Sequence, residues 1–249
     1  MRKFIFILSI SFSFQIAAQT LPDKFVDFYE ELESVPFNEK FKILDKAIKN
    51  APNEPWYYWM MASVYDLKGD NDKAIENFEK SLKIDANFSA AHASLSRLLR
   101  YNYMEDTTKI LQALEHINTA IKLEPKEDYY RIDRGYIYLL LGKFDLAENE
   151  ANYALNLPDF DVMAAEQLKI ETLNLAGKKE ELKEFVKQHD LSNEGEFLGT
   201  NFCLMLASVY EEIGEQNKAC KLYHGAAEPY LIMEEEIPED ISQKLKICK

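Results

Sequence analysis

Residues 58–81 read YWMMASVYDLKGDNDKAIENFEKS, and their pattern decides the fold. Residues 131–154 read RIDRGYIYLLLGKFDLAENEANYA, and residues 203–226 read CLMLASVYEEIGEQNKACKLYHGA. Laid over one another, the three segments share a small residue (Ala62, Gly135, Ala207), then a tyrosine (Tyr65, Tyr138, Tyr210) and a glycine (Gly69, Gly142, Gly214). A second small residue follows (Ala74, Ala147, Ala219), and then a third (Ser81, Ala154, Ala226). Residue types that recur at matched spacing mark a stack of repeats, in which each unit buries its apolar face against its neighbours.

Each position has a mechanical reason. Facing small residues let the two helices of a hairpin approach closely, and an overpacked substitute costs about 1–3 kcal/mol. The tyrosines supply the large apolar body that fills the space between hairpins. The glycines end the first helix, where a left-handed residue is needed and only Gly lacks a steric penalty. Ser81, Ala154 and Ala226 are expected to accept the first helix of the following unit.

On these residues the three segments resemble the tetratricopeptide repeat. The resemblance implies an all-α, right-handed α-solenoid of stacked antiparallel helical hairpins. The other units follow by spacing. Ala113 to Pro125 reads as a second helix whose partner runs from Ala90 to Leu99. Ala74 and Ala113 are 39 residues apart, five more than the usual repeat, and the surplus is expected in the turn Arg100–Thr107. Gly177 marks a degenerate unit with Leu182 and Val186 on its second helix, and Phe41–Ile48 before Pro52 marks another. Six units result, at about 21–54, 55–88, 89–127, 128–161, 162–199 and 200–233, with a capping helix at about 238–248. They form a single solenoid domain over residues 19–249.

The first residues read differently. Arg2 and Lys3 precede an apolar run, Phe4 to Phe14, and the small residues Ala17 and Ala18. That is the pattern of a signal peptide over residues 1–18, cleaved after Ala18. The run is too short to span a bilayer, which takes about 20 apolar residues. No cysteine lies near the cut to take a lipid, so the mature chain is expected to be periplasmic or secreted, with no transmembrane span. Loss of Arg2 and Lys3 leaves 27 basic against 43 acidic residues, a net charge of −16. So acidic a chain repels phosphate backbones, and nucleic acid is not expected among its partners.

In proteins of the resembled family, the first helices line a concave groove that binds a peptide or a protein surface. The inward positions carry Trp56, Trp59, Arg97, Arg100, Tyr129 and Tyr136, the candidate contacts for such a partner. Asp133 lies among them. Some family members clamp a C-terminal carboxylate with Lys, Asn and Arg, but here Trp59 and Ser63 stand where the first Lys and Asn belong. Only Arg97 and Arg100 remain as anion contacts. Trp56 and Trp59 read equally as core residues packed on the first hairpin, because aromatics at helical spacing are mostly core.

No catalytic or cofactor motif competes with this reading. His92, His116, His189 and His224 are scattered, with no close metal pair expected, and no phosphate-binding loop or nucleophile elbow occurs. No cofactor, no metal and no enzymatic activity are expected. Three cysteines in an exported chain permit one disulfide. A capping helix antiparallel to the last second helix brings Cys248 beside Cys220, while Cys203 lies at the opposite end and reads as buried. The expected function is an exported interaction scaffold. The alternatives are a structural subunit of a cell-envelope assembly, using its convex face or ends, and an enzyme or small-ligand carrier with a closed pocket.

Overall fold

The computed structural model describes residues 22–157, 162–192 and 199–248. Thirteen α-helices and one 3-10 turn are present among them, and no strand. The signal peptide read at residues 1–18 lies outside the described residues. The chain forms two compact units, one holding the described residues up to 157 and the other those from 162.

The first unit contains α1 (Val26–Ser34), α2 (Phe37–Asn50), α3 (Pro55–Lys68), α4 (Asn71–Ile84), α5 (Ser89–Asn102), α6 (Thr107–Leu123), α7 (Tyr129–Leu140) and α8 (Phe144–Leu155). The second contains α9 (Val162–Leu175), α10 (Lys179–Gln188), α11 (Thr200–Glu212), α12 (Gln216–Ile232) and α13 (Glu239–Ile247). Each odd-numbered helix through α11 pairs with the one after it, and α13 packs on α12. The fold is therefore an all-α solenoid of helical hairpins.

The hairpin α3–α4 shows how the sequence makes the repeat. Pro55 starts α3 at a position where its missing N–H is not needed. Gly69 ends it in the left-handed region (φ 78°), its N–H donating to the Asp66 carbonyl while the Asp70 N–H donates to that of Tyr65. These two bonds satisfy carbonyls that the helix end leaves open. Asp70 then caps α4, its carboxylate accepting from the Lys73 N–H. The same pair of reversed bonds recurs at Gly142, Gly177 and Gly214, each with positive φ. At the end of α12 it recurs on Glu234, at φ 54° and without glycine.

The small residues sit where close approach is tightest. Ala62, Ala74, Ala113, Ala120, Ala147, Ala151, Ala207, Ala219 and Ala226 are fully buried. Tyr65 reaches the Phe41 ring of the preceding hairpin, with centroids 4.9 Å apart. The Ser81 hydroxyl also ties its own hairpin: it donates to the Pro55 carbonyl at 2.8 Å, so a buried polar group is satisfied. Ser96 does the same in the following hairpin, donating to the Ala113 carbonyl at 2.8 Å.

The five-residue surplus is divided. The connection between α5 and α6 holds four residues against two between α3 and α4, and α6 begins three residues earlier relative to its Ala113 than α4 does relative to Ala74. Asp106 explains the early start. Its carboxylate accepts from the N–H groups of Thr108 and Lys109 at 2.9 and 3.2 Å and nucleates an added turn.

In the second unit, Leu182 and Val186 of the degenerate hairpin are buried against Ile170 and Leu173. The capping helix α13 buries Ile241 and is tied down by Lys244, which donates to Glu211 at 2.7 Å. Cys220 on α12 and Cys248 just past α13 are joined in a disulfide, with Cα atoms 5.4 Å apart. Cys203 is buried and takes no part in a disulfide. Burial pushes its thiol up to about 12, which makes it a poor nucleophile.

Candidate functional site

Three first helices of the first unit carry stripes at the i, i+4, i+7 spacing that keeps residues on one helix face, the α7 stripe starting three residues earlier in its repeat than the other two. They are Trp59, Ser63 and Asp66 on α3; Ala93, Arg97 and Arg100 on α5; and Tyr129, Asp133 and Tyr136 on α7. Side chains about one repeat apart meet between them. The Trp59 Nε1–H donates to Ser94 Oγ at 2.9 Å. Arg97 and Arg100 donate to the two oxygens of Asp133 at 2.8 and 3.0 Å.

These contacts revise the roles of four candidate residues. Trp59 and Arg100 are buried, at 3% and 6% exposure, so neither presents a surface to a partner. Trp59 fills the joint between α3 and α5, where a large ring excludes water and its single donor is met by Ser94. Arg97 and Arg100 share the single carboxylate of Asp133, so neither stands as an unpaired anion contact. Trp56 is half-buried and packs on Phe25 and Phe88, with centroids 5.8 and 4.4 Å away, so most of its area goes into joining the first hairpins.

Tyr129 and Tyr136 remain half-buried on α7. The Arg100 guanidinium lies 5.1 Å from the Tyr136 ring centre, a cation–π contact that steadies the ring.

Electrostatics set the character of this face. Burial alone would raise the Asp133 carboxyl, but the charges and hydrogen bonds of Arg97 and Arg100 outweigh it and hold the group below its usual range. Asp66 is the opposite case. Burial pushes its carboxyl up to about 6, and the attraction of Arg97 only partly offsets this. Asp66 and Ser94 were not among the sequence candidates, although both stand near one repeat length from residues that were.

A second constellation corrects the expectation that no two histidines meet. His92 on α5 and His116 on α6 bring their Nδ1 atoms to 2.9 Å. The Nε2 of His92 lies 3.2 Å from the Ala86 carbonyl. A carbonyl only accepts, so this nitrogen carries the hydrogen, and His92 Nδ1 accepts from the Nδ1–H of His116. Burial, with the His92 ring beside it, holds His116 at about 4 and keeps it neutral near pH 7. The pair faces a cavity of about 340 Å³ lined also by Glu79, Leu82, Lys83 and Ala86. Among the described residues, no group of three or more His, Cys, Asp or Glu is placed to hold a metal ion.

The polar contacts of the second unit hold its helices together. His189 meets Glu166 at 2.6 Å and stacks on Phe185. Lys183 bridges Glu180 and Glu212 at 3.3 and 3.1 Å, and Asp190 accepts from Tyr210 at 3.1 Å and pairs with Lys218 at 3.1 Å.

A stack of two-helix units closed by a glycine turn, with its distinctive side chains on the first helices, defines a helical-hairpin repeat protein. Residues 57–88 match the family model described as tetratricopeptide repeat. A TPR repeat-containing protein of Methanocaldococcus jannaschii is 28% identical over 143 residues, which cover 55% of this chain and 25% of that protein. The chain thus spans about a quarter of the length of the curated relative it matches. Among solved structures, PilW, a type IV pilus biogenesis factor, superposes with a TM-score of 0.63 at 16% identity, covering 96% of this chain and 97% of its own. A tetratricopeptide repeat protein from Parabacteroides merdae gives 0.56 at 15% identity over 93% and 98%. YrrB, described as a TPR protein with an unusual peptide-binding site, gives 0.51 at 15% identity over 82% and 97%. These findings support a tetratricopeptide repeat protein and place the fold among solenoids of that kind.

Proposed function

We propose that the chain is an interaction scaffold that takes an extended peptide or a loop of a partner protein along the face made by α3, α5 and α7. One observation carries this reading: the three stripes are braced from beneath by Trp59–Ser94 and by the Arg97–Asp133–Arg100 ion pairs. That brace leaves Ser63, Asp66, Tyr129 and Tyr136 half-buried at the surface of a rigid floor. Half-exposed tyrosines bury large area on binding with few bonds to freeze, and Asp66 and Ser63 add hydrogen-bonding groups. The nearly neutral floor favours a partner recognised by shape, aromatic contact and hydrogen bonds over one recognised by charge.

Export to an oxidising compartment is part of the proposal. The leader pattern at residues 1–18 and the Cys220–Cys248 disulfide support it, since structural disulfides persist in such places. No helix among the described residues is long and apolar enough to cross a membrane.

A photo-crosslinking residue in place of Tyr136 tests the site, with the same residue in place of Leu146, which is 43% exposed on α8, as the comparison. Capture of one partner from position 136 and not from 146 is expected. Equal capture from both positions, or capture from 146 alone, overturns the reading.

An assembly role through one end of the chain has its own observation. Leu231, Ile232, Met233 and Ile247 are 62%, 73%, 53% and 67% exposed at the end of the second unit. Crosslinking from Ile232 in place of Tyr136 would favour it.

A further inference from the structure

We propose that the turn between α12 and α13 is a second docking surface, and that it takes a basic amphipathic helix of a partner protein. The surface belongs to the second unit, so it does not rest on peptide binding by α3, α5 and α7. It gives the end-on assembly role a partner of definite chemistry.

Three observations carry the inference. First, Leu231, Ile232 and Met233 follow one another at the end of α12, each more than half exposed. No other three consecutive large apolar residues are exposed among the described residues. Such a run invites aggregation unless a partner covers it. Second, acid borders the run and no unpaired cation does. Glu234, Glu235 and Glu236 are exposed directly after it, and Glu239 and Asp240 are exposed at the start of α13. No Lys or Arg lies between Lys221 and Lys244, and Lys244 is held by Glu211. Third, the turn is held in one shape. The N–H groups of Met233, Glu234 and Glu235 donate to the carbonyls of Pro229, Leu231 and Tyr230 at 3.2, 3.3 and 2.8 Å. Glu234 takes positive φ there, a conformation that glycine supplies after α3, α7, α9 and α11. A turn already fixed loses little freedom when it docks.

These features select the occupant. A helix with an apolar stripe flanked by Lys or Arg covers the three side chains and pairs its cations with the carboxylates. A second copy docked face to face would bring two acidic borders together, and anionic lipid would be repelled in the same way. Complementary charge speeds encounter and makes the contact sensitive to salt.

A short helical peptide of leucine and lysine, with its leucines on one face, is the probe, and the same peptide with glutamate for lysine is its control. Calorimetry on the full chain should show one lysine peptide bound per chain, at least ten-fold more weakly in 0.5 M than in 0.05 M NaCl, and no binding of the glutamate peptide. The double variant Ile232→Ser with Met233→Ser keeps the charge of the chain and should bind at least ten-fold more weakly. Leu111→Ser, at an exposed position of α6, should bind as the wild type does. All three positions lie at the surface, and circular dichroism checks that both variants are folded. No binding of the lysine peptide by the wild type overturns the proposal. So does undiminished binding by the double variant, since the peptide then follows net charge alone. A wild-type dimer that the double variant abolishes in sedimentation assigns the surface to a second copy instead, and cosedimentation of the wild type with phosphatidylglycerol vesicles assigns it to lipid. Any of these results with crosslinking from position 136 intact leaves the face of α3, α5 and α7 standing.

Discussion

Arg97 and Asp133 meet at 2.8 Å from helices α5 and α7, 36 residues apart in the chain, with side chains only 13% and 11% exposed. Arg100 completes the contact at 3.0 Å. The repeat that begins with α5 is thereby tied by charge to the one that begins with α7, and this joint depends on all three groups being present.

Removing the shared anion should be severe. Asp133→Ala strands two guanidinium groups in a largely dry joint, and breaking a buried pair costs about 3–5 kcal/mol. Urea unfolding at pH 7 followed by circular dichroism should show that loss. A change below 1 kcal/mol would mean that water already screens the joint.

Asp66 predicts a pH dependence of the opposite sign to most carboxylates. Its carboxyl lies at about 6 in the folded chain against about 3.9 when unfolded. Between those values the folded state holds more protons, so the contribution of this group is fully present below pH 4 and is lost as pH rises through 6. Asp66→Asn should therefore stabilise the protein by on the order of 2 kcal/mol at pH 8 and by little at pH 4. Thermal melts of both proteins across that range check it, and a difference that does not vary with pH would contradict it.

The hairpin turns predict a pair of opposed effects. Gly142 sits at φ 67° with nothing within 4 Å of where a Cβ would stand, so Gly142→Ala meets no clash and incurs only the backbone penalty of about 1–2 kcal/mol. Glu234 already bears that penalty at φ 54°. Glu234→Gly should raise the melting temperature, while Glu234→Gln, which removes the charge and keeps the Cβ, should not reproduce the whole gain.

The disulfide predicts a local weakness. It closes a loop 28 residues long, for which the chain-entropy estimate is about 3–4 kcal/mol. Cys248→Ser should loosen α13 first, since that helix fully buries only Ile241, with Leu245 partly buried and Lys244 held by Glu211. Hydrogen exchange should rise across residues 239–247 before it rises in α11. Cys203 should stay unreactive to thiol reagents until the second unit unfolds.

The repeat was legible in sequence because its determinants are local. Gly69, Gly142 and Gly214 each answer a backbone requirement within one turn, and Ala62 with Ala74 answers a contact within one hairpin. The site was legible only in part, because its residues act through the rotation of one helix against the next. Trp59 and Trp56 lie three residues apart on α3, yet one closes the α3–α5 joint while the other packs toward Phe25 and Phe88. No periodicity separates those fates. His92 and His116 were missed for a related reason. Their meeting depends on how the five-residue surplus divides between the α5–α6 connection and an added turn of α6, and Asp106 decides that division.

The central claim is that the face of α3, α5 and α7 binds the partner. Its most direct measurement is the affinity of the partner captured at Tyr136 for Tyr136→Ala, compared with Leu146→Ala and with the wild type. A loss of at least ten-fold in Tyr136→Ala at unchanged helicity, with Leu146→Ala indistinguishable from wild type, is the predicted result. Wild-type affinity in a folded Tyr136→Ala protein would contradict it.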